Sequence, residues 1–197
     1  MLNQLEDEFS LSKIQLANAF IAYLSEPETH LDQLRIGVLS QLSNINRVTF
    51  YRNFSSMEDF LKWFLLKDLI FRANLEQPID FEVAMDRLYD YVVQHRLVLR
   101  KMFASSFRTT LMHFIENESK TYQRLNIQRL DTEHVLGANH RIMMIDFYGH
   151  GISQLISHLI DDPLYESMEK QSFVAISKLI VKNYIEKTIQ QLHSKNS

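Results

Sequence analysis

The stretch Asn46-Arg47-Val48-Thr49-Phe50-Tyr51-Arg52-Asn53-Phe54, with Ser55-Ser56-Met57-Glu58-Asp59-Phe60-Leu61 behind it, decides how this chain is read. Asn46 is a residue type that caps helix N-termini, because its side-chain oxygen accepts from a free backbone N–H in the first turn. The helix it opens, about Arg47 to Asn53, carries Arg47, Thr49, Tyr51 and Arg52 toward solvent, while Phe50 and Phe54 recur four apart as an inward pair. Ser55 and Glu58 have the spacing of a capping box and predict that a further helix starts at once. A short helix with basic, hydroxyl and amide side chains near its start is what a helix-turn-helix lays in a DNA major groove.

Working outward, the preceding residues supply the rest of such a module. Leu16, Ala19, Phe20, Tyr23 and Leu24 recur at helical spacing and predict a core-facing stripe on a first helix, about Ser12–Ser25. A short second helix is expected at about Ile36–Ser43, with Ile36, Leu39 and Leu42 or Ser43 turned inward. Asn44 follows it and can take the left-handed conformation that ends a helix where glycine is absent. The helix opened near Ser55 is expected to run to about Leu75 through Phe60, Trp63 and Phe64.

Beyond it the helical period continues, and no run of period-two alternation bounded by turns appears, so the fold class is all-α. Five more helices are expected, at about 81–94, 97–103, 107–122, 140–160 and 164–192, making about nine. Pro27, Pro78 and Pro163 fall between helical segments, where a missing N–H costs nothing. Residues 122–139 are polar and unpunctuated, compatible with helix or loop. Two sub-domains sharing the fourth helix as a strut account for this order.

Composition narrows the function classes. The chain has 197 residues, 46% hydrophobic and 23% charged, which is the balance of an ordinary globular protein. It has no cysteine, hence no disulfide framework and no thiolate nucleophile. The acidic start predicts no secretory leader, and no stretch of about 18 unbroken apolar residues predicts a membrane span. A cytoplasmic location follows by default. The eight histidines offer no i, i+4 pair: His134 and His140 lie six apart, and Glu133 and Asp146 complete no recognisable set with them, so no metal is expected. A Gly-x-Ser-x-Gly elbow and a phosphate-cradling glycine loop are both missing, so no catalysis and no cofactor are expected.

The net charge is −3. Within residues 12–60, Lys13, Arg35, Arg47 and Arg52 face Glu26, Glu28, Asp32, Glu58 and Asp59. Phosphate neutralisation supplies most non-specific DNA affinity, so this balance predicts few phosphate contacts.

The run from Leu34 to Phe54 resembles the helix-turn-helix of TetR-type transcriptional regulators, above all in Ile45-Asn46-Arg47-x-Thr49-Phe50-Tyr51-Arg52-x-Phe54. A weaker similarity lies at Phe147-Tyr148-Gly149-His150-Gly151-Ile152, like the penultimate helix of one TetR subgroup. The resemblance implies residues 1–55 as a DNA-binding domain and 56–197 as a helical effector-binding and dimerisation domain. It further implies a homodimer built through the last two helices, an operator in double-stranded DNA, and a small-molecule effector whose binding modulates DNA affinity, with repression the commoner sign. By position, Arg35, Thr49 and Tyr51 fall where the family touches phosphates. Asn46, Arg47, Val48 and Arg52 fall nearest the base edges.

Around the effector the resemblance places Met102, Phe103, Phe107, Met112, Met143, Met144, Phe147 and Tyr148, with His113 and Tyr148 as polar anchors. An aromatic and methionine stripe of this kind is also what a plain core looks like. Gly149 and Gly151 point to close approach of a partner helix at the dimer seam, or to a kink. The chain departs from the family at three places: Ser43-Asn44 replaces Ala-Gly, Arg35 replaces a threonine, and Met57 replaces a phosphate-binding lysine. The rival reading is a TetR-like interaction or sensor protein that no longer reads DNA.

Overall fold

The computed structural model describes residues 10–68, 80–132 and 134–196. Among them the regular structure is helical throughout. The helices are α1 (Leu11–Ser25), α2 (Ile36–Leu42), α3 (Arg47–Asn53), α4 (Met57–Trp63), α5 (Phe81–Gln94), α6 (Arg96–Phe103), α7 (Arg108–Leu130), α8 (Ala138–Asp161), α9 (Lys170–Ser177) and α10 (Tyr184–Asn196). Contacts divide the chain into two compact units, Met1–Gln77 with Val93–Leu111, and Pro78–Val92 with Met112–Ser197.

The first unit is built on aromatic rings. Phe60 of α4 lies 5.2 Å from Phe20, 5.3 Å from Phe54 and 6.2 Å from Phe50, centroid to centroid. Phe20 also meets Phe64 edge-on at 4.8 Å. Rings at these spacings prefer edge-to-face and tilted arrangements, each worth about 0.5–1.5 kcal/mol beyond the area they bury. The face of α1 that does this buries Leu16, Ala17, Phe20 and Leu24. Ala19 and Tyr23 are only half-buried, so the stripe is rotated by part of a turn from the one the spacing suggested. In α2, Leu39 and Ser43 face inward and Leu42 is exposed.

Local chemistry sets the ends of these helices. Asn44 takes φ 56°, the left-handed conformation expected of it. The cap of α4 is displaced by one residue from the predicted Ser55/Glu58 box. Ser56 accepts from Asp59 N–H at 3.1 Å, and Asp59 Oδ2 accepts from Ser55 N–H at 2.9 Å. Glu58 instead takes Lys62 at 2.6 Å along the helix surface. After Trp63 the backbone widens into i→i+5 turns over Phe64–Asp68. The predicted course of this helix to Leu75 lies outside the described residues.

Helix α6 packs against α1 within this unit. Lys101 Nζ donates to the Glu26 carbonyl, to Pro27 O at 3.2 Å and to Thr29 Oγ1 at 3.1 Å. Thr29 Oγ1 in turn donates to Tyr23 O and Glu26 O at 2.7 and 2.8 Å. The carbonyls left open where α1 ends are thus satisfied by side chains, one of them a cation at the negative end of the helix dipole.

In the second unit α7 does not stop near residue 122 but continues to Leu130, so the first half of the stretch left open between helix and loop is helix. The connection to α8 is short: Asp131, buried, accepts from Val135 N–H at 2.8 Å and from Arg141 at 2.9 Å. Gly149 of α8 lies where an added Cβ would sit 2.9 Å from Lys120 Cα. The close approach predicted at this glycine is therefore made within the chain, to α7. Gly151 faces open space. The long last helix expected at about 164–192 is divided: a short 3-10 turn over Pro163–Tyr165, then α9, wide turns over Lys178–Asn183, and α10. Glu82 of α5 holds both Lys178 at 2.5 Å and Lys182 at 3.3 Å. The Lys178 hydrogen bond, foremost, brings the Glu82 carboxyl down to about 2.

Candidate DNA-reading face

Helix α3 is held from beneath and capped from before. Phe50 and Phe54 are buried in the ring cluster. Asn46 Oδ1 accepts from Thr49 N–H at 2.7 Å, as its place in the sequence predicts. Asn53 closes the other end, donating to Thr49 O at 2.7 Å and to Ser12 Oγ at 3.3 Å. A seven-residue helix has little stability of its own, so these anchors fix its position on α1 and α2.

The opposite side of α3 is the one the sequence singled out. Asn46, Arg47, Val48, Tyr51 and Arg52 are exposed there, and Thr49 is half-buried. Val48 keeps 70% of its surface in solvent. Arg35, exposed, precedes α2. Arg47 has one further feature that sequence reasoning missed: its guanidinium folds back over Gly37 of α2, occupying the volume a Cβ at 37 would need. The glycine was the available signal.

A loop outside the helix-turn-helix joins this region. Asp32 accepts from Ser106 Oγ at 2.7 Å and from Ser106 N–H at 3.0 Å. Those two bonds, the hydroxyl's first, hold the Asp32 carboxyl below its ordinary range. Phe107, next in chain, is half-buried and lines the same cleft as Arg35, Arg47 and Tyr51.

The other residues expected around an effector fall in both compact units. Met102 and Phe103 are fully buried in α6 of the first unit. In the second unit Tyr148 is buried, its hydroxyl pushed up to about 12 by burial and then by Tyr184. Met112 and Met144 are half-buried and His113 is exposed, while Met143 and Phe147 are 70% and 72% exposed. An exposed ring on a helix surface does not wall an interior cavity.

No family model and no curated protein matches the chain. Among solved structures it is similar to the dihydroxyacetone kinase operon activator DhaS, with a TM-score of 0.66 at 15% identity, over 89% of this chain and 97% of that one. The two chains share an all-helical fold. At this identity the likeness is one of fold alone. No described helix is long and apolar enough to cross a membrane.

Proposed function

We propose that this chain is a one-component transcriptional regulator, working in the cytoplasm as a homodimer that binds a palindromic operator in double-stranded DNA. The observation that carries the reading is α3 itself: capped by Asn46, anchored through Phe50 and Phe54, and offering Arg47, Val48, Tyr51 and Arg52 to solvent. In this reading Arg47 and Arg52 reach base edges, since arginine can bind guanine O6 and N7 with two hydrogen bonds. Arg35, Thr49 and Tyr51 hold phosphates and set the register. Residues 1–55 read DNA, and residues 56–197 dimerise and take up a small-molecule effector.

An apolar surface supports the homodimer. Ile142, Met143 and Phe147 of α8 and Leu179, Ile180 and Tyr184 near the C-terminus are all exposed. The ring of Tyr148 lies 5.3 Å from that of Phe147 and 6.2 Å from that of Tyr184, so Phe147 and Tyr184 flank the same buried tyrosine in the second unit. Gly151 on the same helix leaves room for a partner's helix. Two copies joined this way carry two reading helices, and half-sites centred about 34–36 Å apart match successive turns of B-DNA.

The test is selection of bound duplexes from a random pool at low salt, followed by a salt titration on the recovered sequence. A two-fold symmetric motif with a shallow slope of log affinity against log salt is the expected result, because few cations face the phosphates. Recovery of nothing above background from folded, dimeric protein would turn the reading to an interaction protein that has kept the fold and lost DNA. The proposal takes repression as the sign of control, and a reporter placed behind the recovered operator reads that sign directly.

A further inference from the structure

The cleft beside α3 has the composition of a ligand site. It measures about 420 Å³, within the range of small-molecule pockets. Its lining is mixed: Leu34, Ile36, Met57 and Phe107 supply apolar surface, and Arg35 and Arg47 supply two cations. Neither guanidinium makes a hydrogen bond or ion pair among the described residues. The one carboxylate in the lining, Asp32, is turned to the N–H and hydroxyl of Ser106. Apolar side chains lining one cleft with two unpaired guanidiniums suit one class of ligand: a small organic oxyanion, such as a phosphate monoester or carboxylate, carried on an apolar body. Two guanidiniums can bind such a head group through paired N–H donors, and the body packs on the apolar side chains.

We propose that this cleft binds a small amphiphilic oxyanion and that its occupancy opposes DNA binding by holding Arg47 folded back over Gly37. The competition with DNA rests on the regulator reading given above; the binding site does not. Free, Arg47 can lie over Gly37 or extend toward a base. An oxyanion in the cleft interacts with the folded-back arrangement alone, and a ligand shifts an equilibrium only through such a difference. Arg35 is drawn to the same head group and is lost to phosphate. The device requires no rearrangement of the fold, only the redirection of one side chain.

The experiment uses the full chain and phenyl phosphate as the probe, titrated by calorimetry without DNA. Saturable binding, one molecule per chain, is expected, with inorganic phosphate and phenol each at least tenfold weaker. Gly37→Ala places a methyl group where the guanidinium lies and should weaken probe binding at least tenfold. Arg35→Gln, at an exposed position, should do the same without a change at the glycine. The recovered duplex should be displaced by phenyl phosphate from the native chain. Gly37→Ala should bind that duplex within about threefold of the native chain and resist displacement.

Absence of saturable binding, equal binding of inorganic phosphate, or unchanged probe affinity in both variants would each overturn the proposal. A chain that binds the probe but selects no duplex would fail the regulator reading and leave the site standing. One that selects a duplex but ignores the probe would fail the site alone.

Discussion

At the scale of single residues, α3 separates the side chains that hold it from those left in solvent. Arg47→Ala should weaken binding to the selected operator by about 1–3 kcal/mol and relax preference at one base position, as the loss of a base-reading arginine does. Tyr51→Phe should weaken all sequences about equally, since a phosphate contact positions without reading. Fluorescence anisotropy on the operator and a scrambled duplex distinguishes the two behaviours; a sequence-selective loss with Tyr51→Phe would move it to the readers. Asn46→Ala acts differently. It strips the acceptor from Thr49 N–H and should cost about 1 kcal/mol of stability, read as a lower midpoint in denaturant at unchanged slope. A loss of DNA binding with no change in midpoint would instead place Asn46 among the readers alone.

At the scale of elements, packing and long-range ion pairs take over from local rules. Glu82 ties α5 to the wide turns after α9 through Lys178 and Lys182. Its carboxyl lies below the ordinary 4.5, at about 2, so its stabilisation is present in full above pH 4.5 and is lost as pH falls toward 2. Glu82→Gln should therefore lower stability by up to about 1 kcal/mol at neutral pH, the scale of a solvent-screened pair. The difference from the native chain should vanish near pH 2, in denaturant titrations run across that range.

None of this pairing was legible in the chain order, because the partners lie nearly a hundred residues apart. The head was legible for the opposite reason: Asn44, Asn46, Phe50 and Phe54 act on neighbours within one or two turns. Local rules also have limits. Ser55-Ser56 and Glu58-Asp59 allow two capping registers, and the structure takes the one in which Asp59 also reaches back to Ser55. Past Tyr122 no breaker stands in the sequence and α7 simply continues. The wide turns at Lys178–Asn183 carry no glycine or proline to announce them. Arg47 lying over Gly37 is a contact between two helices, and no periodicity encodes it.

At the scale of the whole molecule, the apolar face of α8 and the C-terminal stretch governs assembly in the proposed dimer. Phe147→Glu places a charge in the centre of that face and should turn the dimer into a folded monomer in sedimentation velocity, with operator binding reduced because half-sites are no longer bridged. An unchanged dimer would move the interface elsewhere. The first compact unit has a further property: it is not continuous in the chain, for α6 joins it from beyond residue 92. During synthesis, α3 is complete once Phe54 has been added, but the Lys101 clasp on α1 and the Ser106 bond to Asp32 await chain made later. At about 5–20 residues per second, the 57 positions from 54 to 111 take roughly 3–11 s. For that interval a nascent chain holds α3 without the struts that later brace it, so a ribosome stalled before Lys101 would present the head in its least protected form to a protease or a chaperone.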